Sequence, residues 1–382
     1  MMGDKPAPAA SPLLLQPFRL MFMGSALVAS VGVMMWAVFL HLGLFASAAL
    51  PPLLWHGHEM LFGFAAALVG GFLLTAVPNW TGIPTTTPLT LAVLAALWLA
   101  ARIAFLMPSV PYAVTAVLDG AYFPLLAVLV GIPIVRKRDA WHFIVIALLL
   151  GLAVMDALFH LAVTGYLSLS TTRILEWVID LLTVMMLVVG GRVIPFFTER
   201  RIAGLKVSRP PWVERLVNGG VLLVAVLDIA LPGSVVVGVA SLALALLAAI
   251  RLWGWHPWAV WREPMLWILH LGYLWLVVGL TLRGLALLTH ALPEITALHA
   301  ITTGALGSLS IGMMTRVPLG HTGRGIVAGK AMTTAFLLVN VAAVLRVSAP
   351  HLLSAAGVLW ATAFAIYFIR FLPVHLGPLR AS

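Results

Sequence analysis

Residues 141–164 read WHFIVIALLLGLAVMDALFHLAVT, a stretch of 24 residues in which Asp156 is the only side chain with a full charge at neutral pH. Crossing about 30 Å of hydrocarbon at about 1.5 Å per helical residue takes roughly 20 mostly apolar residues. The bilayer core has no water to hydrogen bond with free backbone groups, so a segment of this length must be helical. The stretch therefore predicts a membrane-spanning helix.

Eleven further segments have the same character, and the breaks between them fall at proline, glycine and charged residues. The fold class predicted is all-α, a polytopic integral membrane protein of about 12 transmembrane helices. The predicted spans are 20–45, 56–77, 88–107, 112–135, 141–164, 171–193, 213–231, 234–252, 264–290, 294–315, 327–346 and 351–372.

The composition agrees with a membrane protein and excludes several other classes. Of the 382 residues, 62% are hydrophobic and 9% are charged, and the mean hydropathy is +1.10. Soluble domains carry about 25% charged residues, so an ordinary soluble enzyme, a disordered chain and a nucleic-acid-binding domain are excluded. There is no cysteine, which excludes disulfides, thiolate metal sites and covalently attached c-type haem. Any transition metal must be bound by histidine, methionine or oxygen ligands.

The distribution of basic residues predicts the orientation. With a cytoplasmic N-terminus, only Arg173 and Arg346 fall in outer segments and Arg102 and Arg283 lie within spans, which leaves 18 of the 22 Lys and Arg residues inside. This asymmetry follows the positive-inside rule and predicts that both termini are cytoplasmic. We expect residues 1–16 to form a cytoplasmic tail. The chain is expected to be one transmembrane domain, 1–382, with halves of about 1–199 and 200–382 joined by a cytoplasmic loop.

Ionisable side chains inside the bilayer need a partner or a function, and the densest group lies in the segment WHGHEM, residues 55–60. His56 and His58 differ by about 200° on a regular helix, so they converge only if His56 lies in a preceding loop. Ligation of a metal ion or of haem iron by these imidazoles, with Glu59 nearby, is one interpretation. A polar cap at the membrane interface is the other.

Other polar residues are predicted at the same outer depth. His160 follows Asp156 by four residues, so the carboxylate either orients this imidazole as a metal ligand or forms a structural pair with it. Arg283 is interpreted as a partner for Glu176 or for a haem propionate. Asp180 lies one turn after Glu176 and is a candidate to carry protons inward.

A second group of candidates lies in or beside the last third of the chain. His299 is the best candidate to face His56 or His58 across a bis-imidazole haem. His270 and His321 are candidate metal ligands on the inner side, and Arg324 lies in a Gly-flanked turn suited to an anion such as a propionate.

Gly63 permits the close approach of another helix or of a flat macrocycle.

These motifs resemble the NnrS family of bacterial membrane proteins. The resemblance implies an inner-membrane protein of about twelve helices that binds haem, and copper as well, and that has a role in handling nitric oxide. The matching stretches are PFR (17–19), WHGHEMLFGF (55–64), GFLLTAVPNWTG (71–82), GGRVIPFFT (190–198), LWILHLGYLWL (266–276) and TTGALGSLSIGMMTRVPLGHTGR (302–324).

Three hypotheses of function remain open from the sequence. In the first, the protein uses haem b and copper to reduce nitric oxide to nitrous oxide with an unknown electron donor, and Glu59, Glu176 and Asp180 convey the protons. In the second, it is a non-catalytic haem protein or sensor. In the third, it is a secondary transporter, which needs neither clustered histidines nor haem.

Overall fold

The structure is a computed structural model that describes residues 11–44, 49–138 and 142–378. Residues 1–10 of the predicted tail, with Lys5, and also Arg380, lie outside the described residues. Within the described part every regular element is a helix and no strand occurs. The prediction of an all-α membrane protein is confirmed.

Twelve long helices follow one another along the described chain, and eleven of them are long and apolar enough to span a membrane. The twelfth helix, Pro211–Ala230, has 20 residues and carries Glu214, Arg215 and Asp228. The helices are α1 (Pro17–Leu42), α2 (Pro52–Thr81), α3 (Pro88–Phe105), α4 (Tyr112–Lys137), α5 (Phe143–Val163), α6 (Thr171–Arg201), α7 (Pro211–Ala230), α8 (Val235–Trp253), α9 (Pro264–Thr289), α10 (Glu294–His321), α11 (Gly329–Ser348) and α12 (Pro350–Leu376).

Local sequence explains most of the helix ends. Proline starts α2, α3 and α9, where its fixed φ suits the first turn and its missing N–H is not needed. Gly82 ends α2 with a φ of 75°, a left-handed conformation that glycine adopts without strain. Helix α6 is the main departure from the predicted spans. It continues through Pro195 to Arg201 rather than ending near residue 193, because transmembrane helices tolerate proline when neighbours satisfy the freed carbonyl.

Three helices form the centre of the molecule. In the most apolar windows of α2, α6 and α10, 83%, 67% and 67% of the residues are buried, against 33–56% in the other eight spans. The remaining helices form a ring, in which α4 packs on α5, α8 on α9, and α12 on α1. Three groups of four helices, α1–α4, α5–α8 and α9–α12, thus each contribute their second helix to the core.

The first and last helices are joined by a buried arginine. The Arg19 Nη1 donates hydrogen bonds to the carbonyls of His375 (2.7 Å) and Gly377 (2.6 Å). The side chain of His375 is in turn held by the Tyr367 hydroxyl, 2.9 Å from Nε2. Because Arg19 is fully enclosed, this contact closes the ring between α1 and α12.

Three of the helices contain a π-helical segment, namely Val28–Gly32 in α1, Glu59–Ala65 in α2 and Ala300–Leu306 in α10. A π-segment accommodates an extra residue in the helix, and such insertions occur frequently at functional sites. Two of these segments lie in central helices, α2 and α10, next to the histidines that the sequence singles out.

Candidate metal centre

Four buried side chains from three helices, α2, α4 and α5, meet at one place in the bundle. His58 of α2, Asp119 of α4, and Asp156 and His160 of α5 each offer one ligand atom, and these atoms all lie within 4.8 Å of one another. Their side chains are between 0% and 7% exposed. We refer to these four residues as the His–Asp tetrad.

The spacing within the tetrad suits a single metal ion. The His58 Nε2 lies 2.9 Å from Asp119 Oδ2 and 3.9 Å from Asp156 Oδ1. The His160 Nε2 lies 3.3 Å and 3.4 Å from the same two oxygens. Around a tetrahedral ion with bonds of about 2.1 Å, neighbouring ligand atoms lie about 3.4 Å apart. The observed separations are distributed around that value.

The Nδ1 atoms of His58 and His160 each contact a group outside the tetrad. The Nδ1 of His58 lies 3.3 Å from Glu59 Oε1, and the Nδ1 of His160 lies 2.9 Å from the Tyr112 hydroxyl. Both Nε2 atoms therefore face the shared space inside the tetrad. Metal-ligating histidines are typically oriented in this way by a second partner.

The charge of the cluster also favours a cation. Arg102 forms ion pairs with Asp119 and, through Nε at 3.3 Å, with Glu59. Together with Asp156, three buried carboxylates face one guanidinium, which leaves a net charge of −2 while the imidazoles are neutral. Neither oxygen of Asp156 accepts a hydrogen bond of good geometry from the described residues. A divalent ion would balance this charge and satisfy these atoms.

His56 belongs to a different site. Helix α2 begins at Pro52, so His56 and His58 both lie on regular helix and point in different directions; the alternative that His56 lies in a loop is wrong. The His56 ring stacks on Trp36 of α1, with 4.6 Å between centroids and 10° between planes. It also lies within electrostatic range of His299 and Arg346.

His299 is oriented by its neighbours as well. Its Nδ1 lies 2.8 Å from the carbonyl of Ile295, and its Nε2 lies 3.0 Å from the Arg346 guanidinium. A ring that donates from Nδ1 to a backbone carbonyl keeps its Nε2 lone pair for an acceptor role. His56, rather than His58, lies on the side of α2 within electrostatic range of His299, and the sharing of one haem by these two imidazoles stays a prediction.

The sequence model of a family described as NnrS protein matches residues 12–378, which is nearly the whole chain. The chain belongs to the NnrS family. A comparison with curated proteins finds no match. Membership suggests a membrane protein of the nitric oxide response, and the buried tetrad provides this NnrS-family protein with a place that could hold a metal ion.

Other predicted site residues of the NnrS-family chain are engaged elsewhere. Arg283 Nη1 lies 2.5 Å from Asp180 Oδ1 and its Nη2 lies 2.7 Å from Asp228 Oδ1. Glu176 pairs instead with Arg173, at 2.7 Å. The expected bridge between Arg283 and Glu176 is wrong, because one further turn of α6 brings Asp180, not Glu176, to the arginine.

Gly63 has a more local role than the approach of a macrocycle. A methyl group at Gly63 would lie 2.9 Å from Glu59 Oε2 and 3.3 Å from Arg102 Nη1. The glycine thus makes room for the ion pair beside the tetrad. On the inner side, His321 is exposed and 5.9 Å from the Phe18 ring.

The remaining inner candidates have backbone partners. Arg324 Nη1 lies 3.4 Å from the carbonyl of Thr322. His270 is buried on α9, with Nδ1 3.0 Å from the carbonyl of Leu266. No described contact places either residue near the tetrad.

Sequence reasoning missed Asp119 as a candidate ligand of the NnrS-family site. In the sequence, Arg102 and Asp119 lie at similar depths on consecutive spans, which indicates a structural ion pair and not a metal ligand, and that pair is present. The available signal is the position along the helix, because Asp119 lies two turns after the start of α4, and Asp156 lies two turns before the end of α5, which packs against it. Tyr112, which holds His160, carried no comparable signal.

Proposed function

We propose that this protein is a multi-pass protein of the bacterial inner membrane that removes nitric oxide by reducing it to nitrous oxide. The proposal assigns copper to the His–Asp tetrad and haem b to the region between His56 and His299. The observation that carries it is the tetrad, a buried set of ligands whose spacing suits one ion, together with buried charges around it that sum to −2 while both imidazoles are neutral.

The donor set of the tetrad fits the proposed copper. Two imidazole nitrogens and two carboxylate oxygens are ligands for divalent copper, zinc or iron, and the carboxylates disfavour the soft monovalent state of copper. The four ligands come from α2, α4 and α5 and lie beside aromatic rings, with Phe105 4.7 Å and Phe159 4.8 Å from the His58 ring. Such a shell excludes water and admits a small neutral gas.

The residues around His56 and His299 fit the proposed haem. The Nδ1 of His56 is buried without a hydrogen-bond partner among the described residues, and the Nε2 of His299 contacts only the movable guanidinium of Arg346 in the hydrogen bonds described. When Arg346 turns away, His299 presents its lone pair, and the arginine supplies a positive charge for a propionate. Bound haem and copper would supply a binding place for nitric oxide and single-electron chemistry.

Reduction of two nitric oxide molecules to nitrous oxide and water takes up two electrons and two protons. Of the three predicted proton carriers, Glu59 is closest to the tetrad, since its carboxylate contacts both His58 and Arg102. Asp180 contacts Arg283 and Glu176 contacts Arg173, and neither has a described contact with the tetrad, so we assign the last proton transfer to Glu59.

The test is the purified protein in liposomes with its haem and metal content measured. We expect nitric oxide consumption and nitrous oxide formation with a chemical reductant, and a strong decrease in Glu59→Gln at unchanged metal content. His351→Ala, which changes an exposed residue of the Pro350–Leu352 turn, is the matched control. A fully loaded protein that binds nitric oxide but forms no nitrous oxide would instead be a non-catalytic haem protein.

A further inference from the structure

An apolar groove lies on the outside of the helix ring, between α8, α9 and α11. It encloses about 560 Å³ and is lined mainly by aromatic and aliphatic side chains. The lining includes Trp253, Trp261, Trp267, His270, Leu274 and Leu337.

His270 is the polar group of this groove. The residue is 4% exposed, and its Nδ1 lies 3.0 Å from the carbonyl of Leu266, so that in the tautomer with the proton on Nδ1 the ring donates to this carbonyl and Nε2 is an acceptor. The Nε2 lone pair is buried and has no hydrogen-bond partner among the described residues. The carbonyl of Trp255 lies nearby, but a carbonyl is itself an acceptor and does not satisfy that lone pair.

An unsatisfied acceptor in an apolar environment is costly, so the groove favours a ligand that donates one hydrogen bond. The ligand must also be apolar and flat enough to lie against indole rings. Trp253 and Trp261 are 70% and 67% exposed, as expected for tryptophans of a membrane interface, so the groove opens towards lipid. A molecule of this chemistry reaches the groove by diffusing within the bilayer.

We propose that this groove binds a quinol, with a ring hydroxyl donating to His270 Nε2, the ring against the tryptophans and the isoprenoid tail in the lipid. The inference rests on the proposed function for its redox part. Oxidation of one quinol to the quinone releases two electrons and two protons. Reduction of two nitric oxide molecules to nitrous oxide and water consumes the same numbers. The quinol is then the electron donor.

Buried aromatic residues continue from the groove into the bundle. The Trp255 ring lies 6.4 Å from the His270 ring, and 4.6 Å from the ring of Tyr273, between centroids. Trp255 and Tyr273 are both fully enclosed. The quinol site is therefore continuous with the interior rather than an isolated lipid contact.

Binding is tested on the full-length protein in lipid nanodiscs, with a short-chain ubiquinol and a short-chain menaquinol as probes. We expect saturable quenching of tryptophan fluorescence by at least one of them. The matched control is a saturated alcohol of the same tail length, which should not saturate. His270→Phe keeps the aromatic bulk and removes the acceptor, so we expect about tenfold weaker binding, the effect of one buried hydrogen bond.

Two further variants make the result specific. His270→Gln retains an acceptor and should recover part of the affinity, whereas His351→Phe, far along the chain and exposed, should bind as the wild type does. Equal affinity of His270→Phe and wild type, or quenching by the alcohol that matches that of the quinols, would overturn the proposal.

The redox part is tested by changing the electron source. With quinol as donor, nitric oxide consumption should fall in His270→Phe, and with ascorbate and a soluble mediator dye it should equal the wild type. Equal loss with both donors would overturn the assignment of the groove as the donor site. If the wild type consumes no nitric oxide with either donor, the proposed reduction fails, while His270-dependent quinol binding still supports the groove.

Discussion

His58 and His299 occupy the same position in two of the three central helices: each is the last residue before a seven-residue π-helix, Glu59–Ala65 in α2 and Ala300–Leu306 in α10. A glycine follows each histidine after five residues, Gly63 and Gly304. The environments nevertheless differ. His58 faces carboxylates of α4 and α5, whereas His299 faces Arg346 of α11. The same local structure, a histidine directly before a π-helix, thus occurs in two chemically different environments.

The two histidines should therefore affect different cofactors. We expect His58→Ala to lose most of the bound metal and to keep its haem, because a tetrad ligand is removed and the His299 region is untouched. His299→Ala should lose haem and keep its metal. Metal analysis by mass spectrometry and the haem absorption of the same preparations measure both effects. Folded variants that each lose both cofactors would contradict the assignment to separate sites.

Arg102 should contribute strongly to stability. Removing one partner of a buried charge pair costs about 3–5 kcal/mol, because the other charge remains buried and unpaired. We expect Arg102→Gln, which leaves Asp119 and Glu59 without their cation, to lower the thermal unfolding midpoint in detergent markedly. The comparison is Arg173→Gln at the partly exposed pair with Glu176, where about 0–1 kcal/mol is expected. A similar small shift for both variants would show that the buried network adds little.

Gly304 should not tolerate a side chain. A methyl group there would overlap the indole of Trp275, which is held by a hydrogen bond of 3.0 Å to Asn340 Oδ1. We expect Gly304→Ala to destabilise the protein by about 1–3 kcal/mol through overpacking. At Gly219, within α7, a methyl group would meet nothing within 4 Å, so Gly219→Ala should be neutral or stabilising by up to about 1 kcal/mol. Thermal unfolding of both variants is the measurement, and equal midpoints would contradict the packing seen at α10.

The orientation of the chain remains a prediction, and the absence of cysteine makes it directly testable. Ser168 lies between α5 and α6, and Lys206 lies between α6 and α7, and both are exposed. In right-side-out membrane vesicles, an impermeant thiol reagent should label Ser168→Cys and not Lys206→Cys. In inside-out vesicles the pattern should reverse. Labelling in the opposite sense would place both termini outside.

The helices could be predicted from the sequence because apolar length is a strong signal. Their ends were less certain where proline lies inside a helix, as at Pro195 in α6, since local sequence does not show whether a neighbouring group satisfies the freed carbonyl. The central position of α2 and α6 could not be predicted, because their hydropathy is as high as that of the lipid-facing helices, and only α10 is less apolar than the rest.

The candidate site could be predicted only in part. The WHGHEM segment identified His58, and the spacing of Asp156 and His160 placed both on one face of α5. What the sequence did not contain was the pairing between helices, so that Asp119 was assigned to Arg102 alone. The direction of the His56 side chain depends on the residue at which α2 begins. Because the helix begins at Pro52, His56 lies on regular helix and its side chain points away from the tetrad.

The bond from Arg19 to the carbonyls of His375 and Gly377 has a consequence for biogenesis. Arg19 and its two partners are separated by more than 350 positions in the sequence. These hydrogen bonds therefore form only after almost the entire polypeptide has been synthesised and delivered to the translocon. The four ligands of the tetrad, by contrast, emerge within the first five segments. A metal ion can thus bind to the tetrad before α1 and α12 are joined.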